Sequence, residues 1–162
     1  MTTAFADAEA DHPGIPLPPP FLFAGPFFAG LALQHWRPLP LLSREPHWEF
    51  LLGLAGQAVG GLLIAVTLFF FWRHRTSIIP DKPALALVQD GPLRYSRNPL
   101  YLALTLIYLS IAVGCNYFWP LVFLPLALWL INRIAIAREE KYLARRFGAD
   151  YLDYQRRVRR WL

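Results

Sequence analysis

Residues Trp48 to Trp72 form a run of 25 with one charge, Glu49, near its edge and a tryptophan at each end. As a helix this run extends about 37 Å, enough to cross the roughly 30 Å hydrocarbon core of a bilayer. Tryptophan belongs at the membrane–water interface, and these two sit where the interfaces would fall. The run therefore directs the fold into a membrane.

Composition points the same way. Hydrophobic side chains make up 56% and charged ones 17%, where a soluble domain carries about 25% charge. Disorder, a collagen-like repeat and a disulfide scaffold are excluded. The single cysteine, Cys115, allows neither an intrachain disulfide nor a cysteine-rich metal site. His12, His35, His47 and His74 lack ligand spacing, so no metal is expected.

Three further apolar runs accompany the first. Phe21–Trp36 is interrupted by Pro26 and stops at Arg37-Pro38. Another starts at Pro99 and fades at Gly114-Cys115, and the last covers Tyr117 to Ile136 with Pro120 and Pro125 inside it. Pro120 suits a first helical turn, whereas Pro125 should kink the helix. The short link between these two runs implies a tight hairpin. Gly53, Gly56, Gly60 and Gly61 give the 48–72 run a small-residue face suited to close packing. The expected fold class is an all-α integral membrane bundle of about four transmembrane helices, with an interfacial amphipathic helix at its C-terminal end. Met1–Pro20 has three acids, no Lys or Arg, and a Pro18-Pro19-Pro20 cluster. It lacks the basic start of a signal peptide and is expected to be a disordered lead-in.

Charge orients the bundle. Arg37 and Arg44 lie in the first loop, five Lys or Arg lie between Arg73 and Arg97, and eight follow from Arg138 onward. The positive-inside rule puts the 73–98 loop and the 137–162 tail on the cytoplasmic face, with both termini inside. In a prokaryote the membrane would be the cell membrane. A net charge of +5 also suits nucleic acid, but topology alone accounts for basic residues at span ends, so no nucleic-acid partner is expected. In the tail, Gly148 should stop a helix continuing from the last span. Beyond it Tyr151, Tyr154, Val158 and Trp161 form a stripe, with Arg156, Arg157, Arg159 and Arg160 set mostly off it. Such a helix is expected in the headgroup region, with anionic membrane lipids as partners.

Two clusters carry polar chemistry. The first is Leu87-Val88-Gln89-Asp90-Gly91-Pro92, followed by Arg94-Tyr95-Ser96-Arg97-Asn98-Pro99-Leu100-Tyr101. Asn98 can cap a helix and Pro99 suits its first position. The second joins Arg133 to Glu139-Glu140. On a continuous α-helix, seven residues bring Arg133 and Glu140 to nearly the same face, roughly 10 Å apart. There a cationic ligand would meet the acids while Arg133 holds an anionic group.

The order Leu-Val-x-x-Gly-Pro, Arg-Asn-Pro-Leu-Tyr, two spans, Glu-Glu-x-x-Leu, then Phe-Gly-x-x-Tyr-x-x-Tyr resembles the isoprenylcysteine carboxyl methyltransferase family and its phospholipid-methylating relatives. The likeness covers about Thr76 to Leu162. It implies an integral membrane methyltransferase using S-adenosylmethionine on a lipophilic acceptor, whether a prenylcysteine carboxylate, another lipid or a thiol. The cofactor contacts it implies fall on Leu87, Val88, Asn98, Pro99, Leu100, Tyr101, Glu139 and Glu140. Arg133 is implied at the acceptor end as the catalytic residue. The family's histidine is replaced here by Asn98, which keeps a donor and an acceptor but carries no proton for acid–base work. Two alternatives share the motifs: a non-catalytic scaffold of the same fold, and a nicotinamide-dependent membrane reductase, which usually has many more spans.

Overall fold

The computed structural model describes residues 12–42, 48–77 and 83–162. Among these, every regular element is helical, and one isolated bridge joins Pro40 to Tyr117. Helix α1 spans Pro19–Trp36 and α2 spans Trp48–Arg73. After the loop comes α3, Pro99–Gly114, then α4, Phe118–Leu130. A π-helical stretch, Ile131–Ile136, leads into α5, Ala137–Phe147, and α6 is Ala149–Arg157.

Two helical runs, Trp48–Arg73 and the continuous Phe118–Phe147, are long and apolar enough to cross a membrane. Helices α1 and α3, with 18 and 16 residues, are about 27 and 24 Å long and pack beside them. Leu51, Leu52, Leu54, Val59, Leu62 and Phe69 all lie exposed along α2. A contiguous apolar surface of that extent suits lipid rather than water.

Helices α2 and α3 pack antiparallel through small residues. A Cβ built on Gly53 would lie 2.6 Å from the Cα of Gly114, and one on Gly60 would lie 2.7 Å from Ile107 and 3.2 Å from the Ala103 carbonyl. Gly56 faces Ser110 in the same way, whereas Gly61 meets nothing within 4 Å. Three of the four expected glycines therefore form the contact, and Gly61 points away from it. Helices α1 and α4 make the second antiparallel pair, with Gly30 against the backbone of Trp119 and Pro120. Tyr108 joins the pairs: its hydroxyl donates to the Pro120 carbonyl at 2.7 Å, and its ring meets Phe27 edge-on at 4.9 Å.

The α3–α4 turn is as tight as expected. Asn116 takes a left-handed φ of 56° there, and its Oδ1 accepts from the amides of Leu41 and Leu42 at 2.8 Å each. An Asn tolerates this conformation because its short amide satisfies the local backbone. Helix α4 runs through Pro125.

Two expectations about the ends need correction. The lead-in is not disordered over residues 12–20: α1 begins at Pro19, Ile15 is buried in the main core, and Gly14 O accepts from Arg138 Nη1 at 2.7 Å. Prolines leave such a segment little entropy to lose, so one apolar anchor holds it. Residues 1–11 lie outside the described residues. The stripe beyond Gly148 is not presented to headgroups either. Tyr151, Tyr154 and Val158 are buried together against Leu87, Leu143, Ala144 and Phe147, because Gly148 at φ 53° folds α6 back onto α5.

Candidate functional site

The loop after α2 closes over the start of α3. A 3₁₀ turn, Gly91–Arg94, opens with Gly91 at φ 58°, a conformation that favours glycine. It leads to Asn98 at the N-cap position of α3 and Pro99 at its first turn. The expected side-chain cap is not made. Instead Asn98 Nδ2 donates to the Arg160 carbonyl at 2.9 Å, while its own amide takes Ser96 Oγ at 3.2 Å. The tail carbonyl holds the Nδ2 end of this side chain, and no bond to the first turn of α3 is made.

These segments and α5 enclose one cavity. Its wall includes Leu87, Val88, Asn98, Pro99, Leu100, Tyr101, Glu139 and Glu140. All eight residues expected to contact a cofactor thus meet around the same space, although they come from the loop, α3 and α5. Tyr142, Tyr151 and Tyr154 add aromatic surface, and Arg97 adds a cation. The Tyr142 hydroxyl accepts the Ala84 amide at 2.9 Å and the Tyr154 hydroxyl donates to the Leu93 carbonyl at 2.7 Å, so both pin the loop. Burial pushes the Tyr151 and Tyr154 phenols up from their ordinary values, so both remain neutral at physiological pH.

The two acids have different partners. Glu139 accepts a hydrogen bond from the Tyr101 hydroxyl. Glu140 lies between two arginines: Arg97 Nη1 is 3.0 Å from its Oε1, and Arg160 grips both oxygens, with Nε to Oε1 at 3.0 Å. Arg97 and Glu140 side chains are only 12% and 14% exposed, so each neutralises a charge that would be costly alone. Arg97 Nε and Nη1 are buried with no hydrogen-bond acceptor among the described residues. The Nη1 contact with Glu140 is therefore an ion pair without hydrogen-bond geometry. Arg97 itself lines the cavity, and a guanidinium there is suited to an anionic group such as a carboxylate.

Arg133 is placed elsewhere. It is exposed on the π-helical stretch and forms no part of the cavity wall. The reason is local. The Ala137 amide reaches back five residues to the Asn132 carbonyl, and such a turn holds about one residue more than an α-turn, rotating the downstream residues by about 100°. Asn132 Nδ2 also takes the Leu128 carbonyl at 2.7 Å. The seven-residue spacing thus fails to align Arg133 with Glu140, and Arg97 and Arg160 stand beside the acid instead. Arg133→Ala should leave affinity for a ligand of the cavity within about twofold, measured by calorimetry.

Sequence reasoning gave no weight to Arg160, since its charge reads as part of a basic tail. Among the described residues, no group of His, Cys, Asp and Glu is arranged to hold a metal ion.

A family model described as phospholipid methyltransferase matches residues 48–150 of this chain. An uncharacterized protein of Haemophilus influenzae is 42% identical over 65 residues, covering 39% of this chain and all of its own length. No solved structure matches the chain.

Proposed function

The chain belongs to the phospholipid methyltransferase family, and from that premise we propose that it transfers a methyl group from S-adenosylmethionine to a lipophilic acceptor at the membrane. Membership supports a membrane methyltransferase. The observation that carries the finer reading is the convergence of Leu87, Val88, Asn98, Pro99, Leu100, Tyr101, Glu139 and Glu140 on one cavity that Arg97 also lines.

The residues present fit the cofactor's chemistry. Arg97 places a guanidinium at the cavity wall, where it would meet a carboxylate. Glu139, held by Tyr101, is the acid left for an ammonium or a ribose hydroxyl, because Glu140 is already paired with arginines. Leu87, Val88, Leu93 and Tyr151 supply the apolar and aromatic wall that a flat adenine needs. When bound, the cofactor would supply an electrophilic methyl on a sulfonium, open to direct attack by a nucleophile with the neutral thioether as the leaving group.

The protein's own work is then alignment and exclusion of water. Asn98 has no protonic role. Its Nδ2 donates to the tail carbonyl, and a carboxylate or thiolate acceptor calls for no strong base. An acceptor dissolved in the bilayer would reach the site sideways. We place the 73–98 loop, the tail and both termini on the cytoplasmic side, from the charge distribution, with anionic lipid against the exposed arginines of the tail. Calorimetry of S-adenosylmethionine and S-adenosylhomocysteine with the detergent-purified protein, followed by transfer of labelled methyl to membrane lipid extract, tests this reading. Micromolar binding and labelled lipid are expected. A folded protein that binds neither nucleoside overturns it.

A further inference from the structure

We infer that Val158–Leu162 is a strap that positions the site, with Arg160 as the positioning residue holding its two halves together. The inference rests on the cofactor reading above and deepens it. At Val158 the chain leaves α6 in an extended conformation, φ −122° and ψ 131°. From there it lies along the start of α3. The Arg97 amide donates to the Arg159 carbonyl at 3.0 Å, and Asn98 Nδ2 and Ser96 Oγ donate to the Arg160 carbonyl at 2.9 and 3.3 Å. The Arg160 guanidinium meanwhile forks onto Glu140 of α5. Trp161 packs against the main core and Val158 against Tyr151 and Tyr154, so the strap is seated on both flanks of this residue.

Arg160 thus touches both clusters at once, by its backbone at Asn98 and by its side chain at Glu140. It forms no part of the cavity wall and acts through those two residues. The fork matters because Arg97 approaches only one Glu140 oxygen and leaves the carboxylate free to turn. A bidentate guanidinium fixes its plane, which a lysine ammonium cannot do. The basic tail is in this respect part of the site and more than a surface anchor.

The test uses the full chain in detergent, with S-adenosylhomocysteine as the probe. Arg160→Met is expected to weaken binding roughly tenfold, the scale of one charge-assisted hydrogen bond, with the thermal midpoint nearly unchanged. Arg160→Lys should recover less than half of that loss. Hydrogen exchange at the Arg97 amide, which reports the seating of the strap, should quicken in Arg160→Met. Binding equal to wild type or tighter overturns the proposal, and so does full rescue by lysine or a loss matched by a collapse of the thermal midpoint. If the wild type binds no S-adenosylhomocysteine, the cofactor reading fails by itself. Faster exchange at Arg97 would then still uphold the strap, and unchanged exchange would overturn it.

Discussion

Glu140→Ala should abolish measurable binding of S-adenosylhomocysteine and lower the stability of the folded protein by about 3 kcal/mol, near the low end of the cost of breaking one side of a buried ion pair. The reason lies in the group the substitution leaves behind. Arg97 is 12% exposed and already has two donors without acceptors; without Glu140 it becomes a buried charge with no counter-ion. The low end applies because Arg160, 42% exposed, can return to water. Glu140→Gln keeps the volume and one acceptor oxygen, so its stability loss should be about half as large. Thermal unfolding in detergent and calorimetry on the same samples check both quantities. A Glu140→Ala protein with wild-type affinity would remove Glu140 and its arginine pairing from the site.

Gly53→Leu is expected to separate α2 from α3, and Gly61→Leu, two turns further along the same helix, to do almost nothing. At Gly53 the first added carbon meets backbone atoms, the Gly114 Cα at 2.6 Å and the Ser110 carbonyl at 2.8 Å. Backbone cannot step aside as a side chain can, so the helices must part. Overpacking of this kind costs about 1–3 kcal/mol, and most of the small-residue contact is lost with it. Because α2 also brings Phe71 to the cavity wall, cofactor affinity should fall too. Gly61 has nothing within 4 Å, and a leucine there joins a surface already made of Leu54, Val59 and Leu62. The yield of monodisperse protein and the thermal midpoint compare the pair directly. Equal tolerance at both positions would place the α2–α3 contact elsewhere.

The contrast between those glycines shows where reading the sequence stops. All four stand at small-residue spacing, yet the contact with α3 needs a partner's backbone at a given height, and only the tertiary structure supplies Gly114, Ser110 and Ile107. Arg133 and Glu140 present the same problem along one helix. Their spacing is right for an ideal α-helix. The π-helical stretch Ile131–Ile136 changes the phase between them, and no residue pattern around Asn132 announces it. Arg160 is hidden for another reason: four arginines in a short tail read as one basic surface, although this one grips a carboxylate.

Much else is legible in the residues alone. The apolar run of α2, the tight α3–α4 turn, Pro99 at the start of α3 and Gly148 at the end of α5 each depend on local chemistry: length against a bilayer, a missing N–H, a positive φ. The resemblance from Thr76 onward pointed to the methyltransferase family and to eight residues that line one cavity. What only the tertiary structure decided is how charges are shared. Glu140 lines the cavity and at the same time balances Arg97 and Arg160, while Glu139 is bonded to Tyr101. Spacing along a chain records periodicity within one element. Which of several nearby cations satisfies a buried carboxylate is settled by the cost of leaving any of them unpaired, and that cost depends on neighbours brought in from the loop, α5 and the tail.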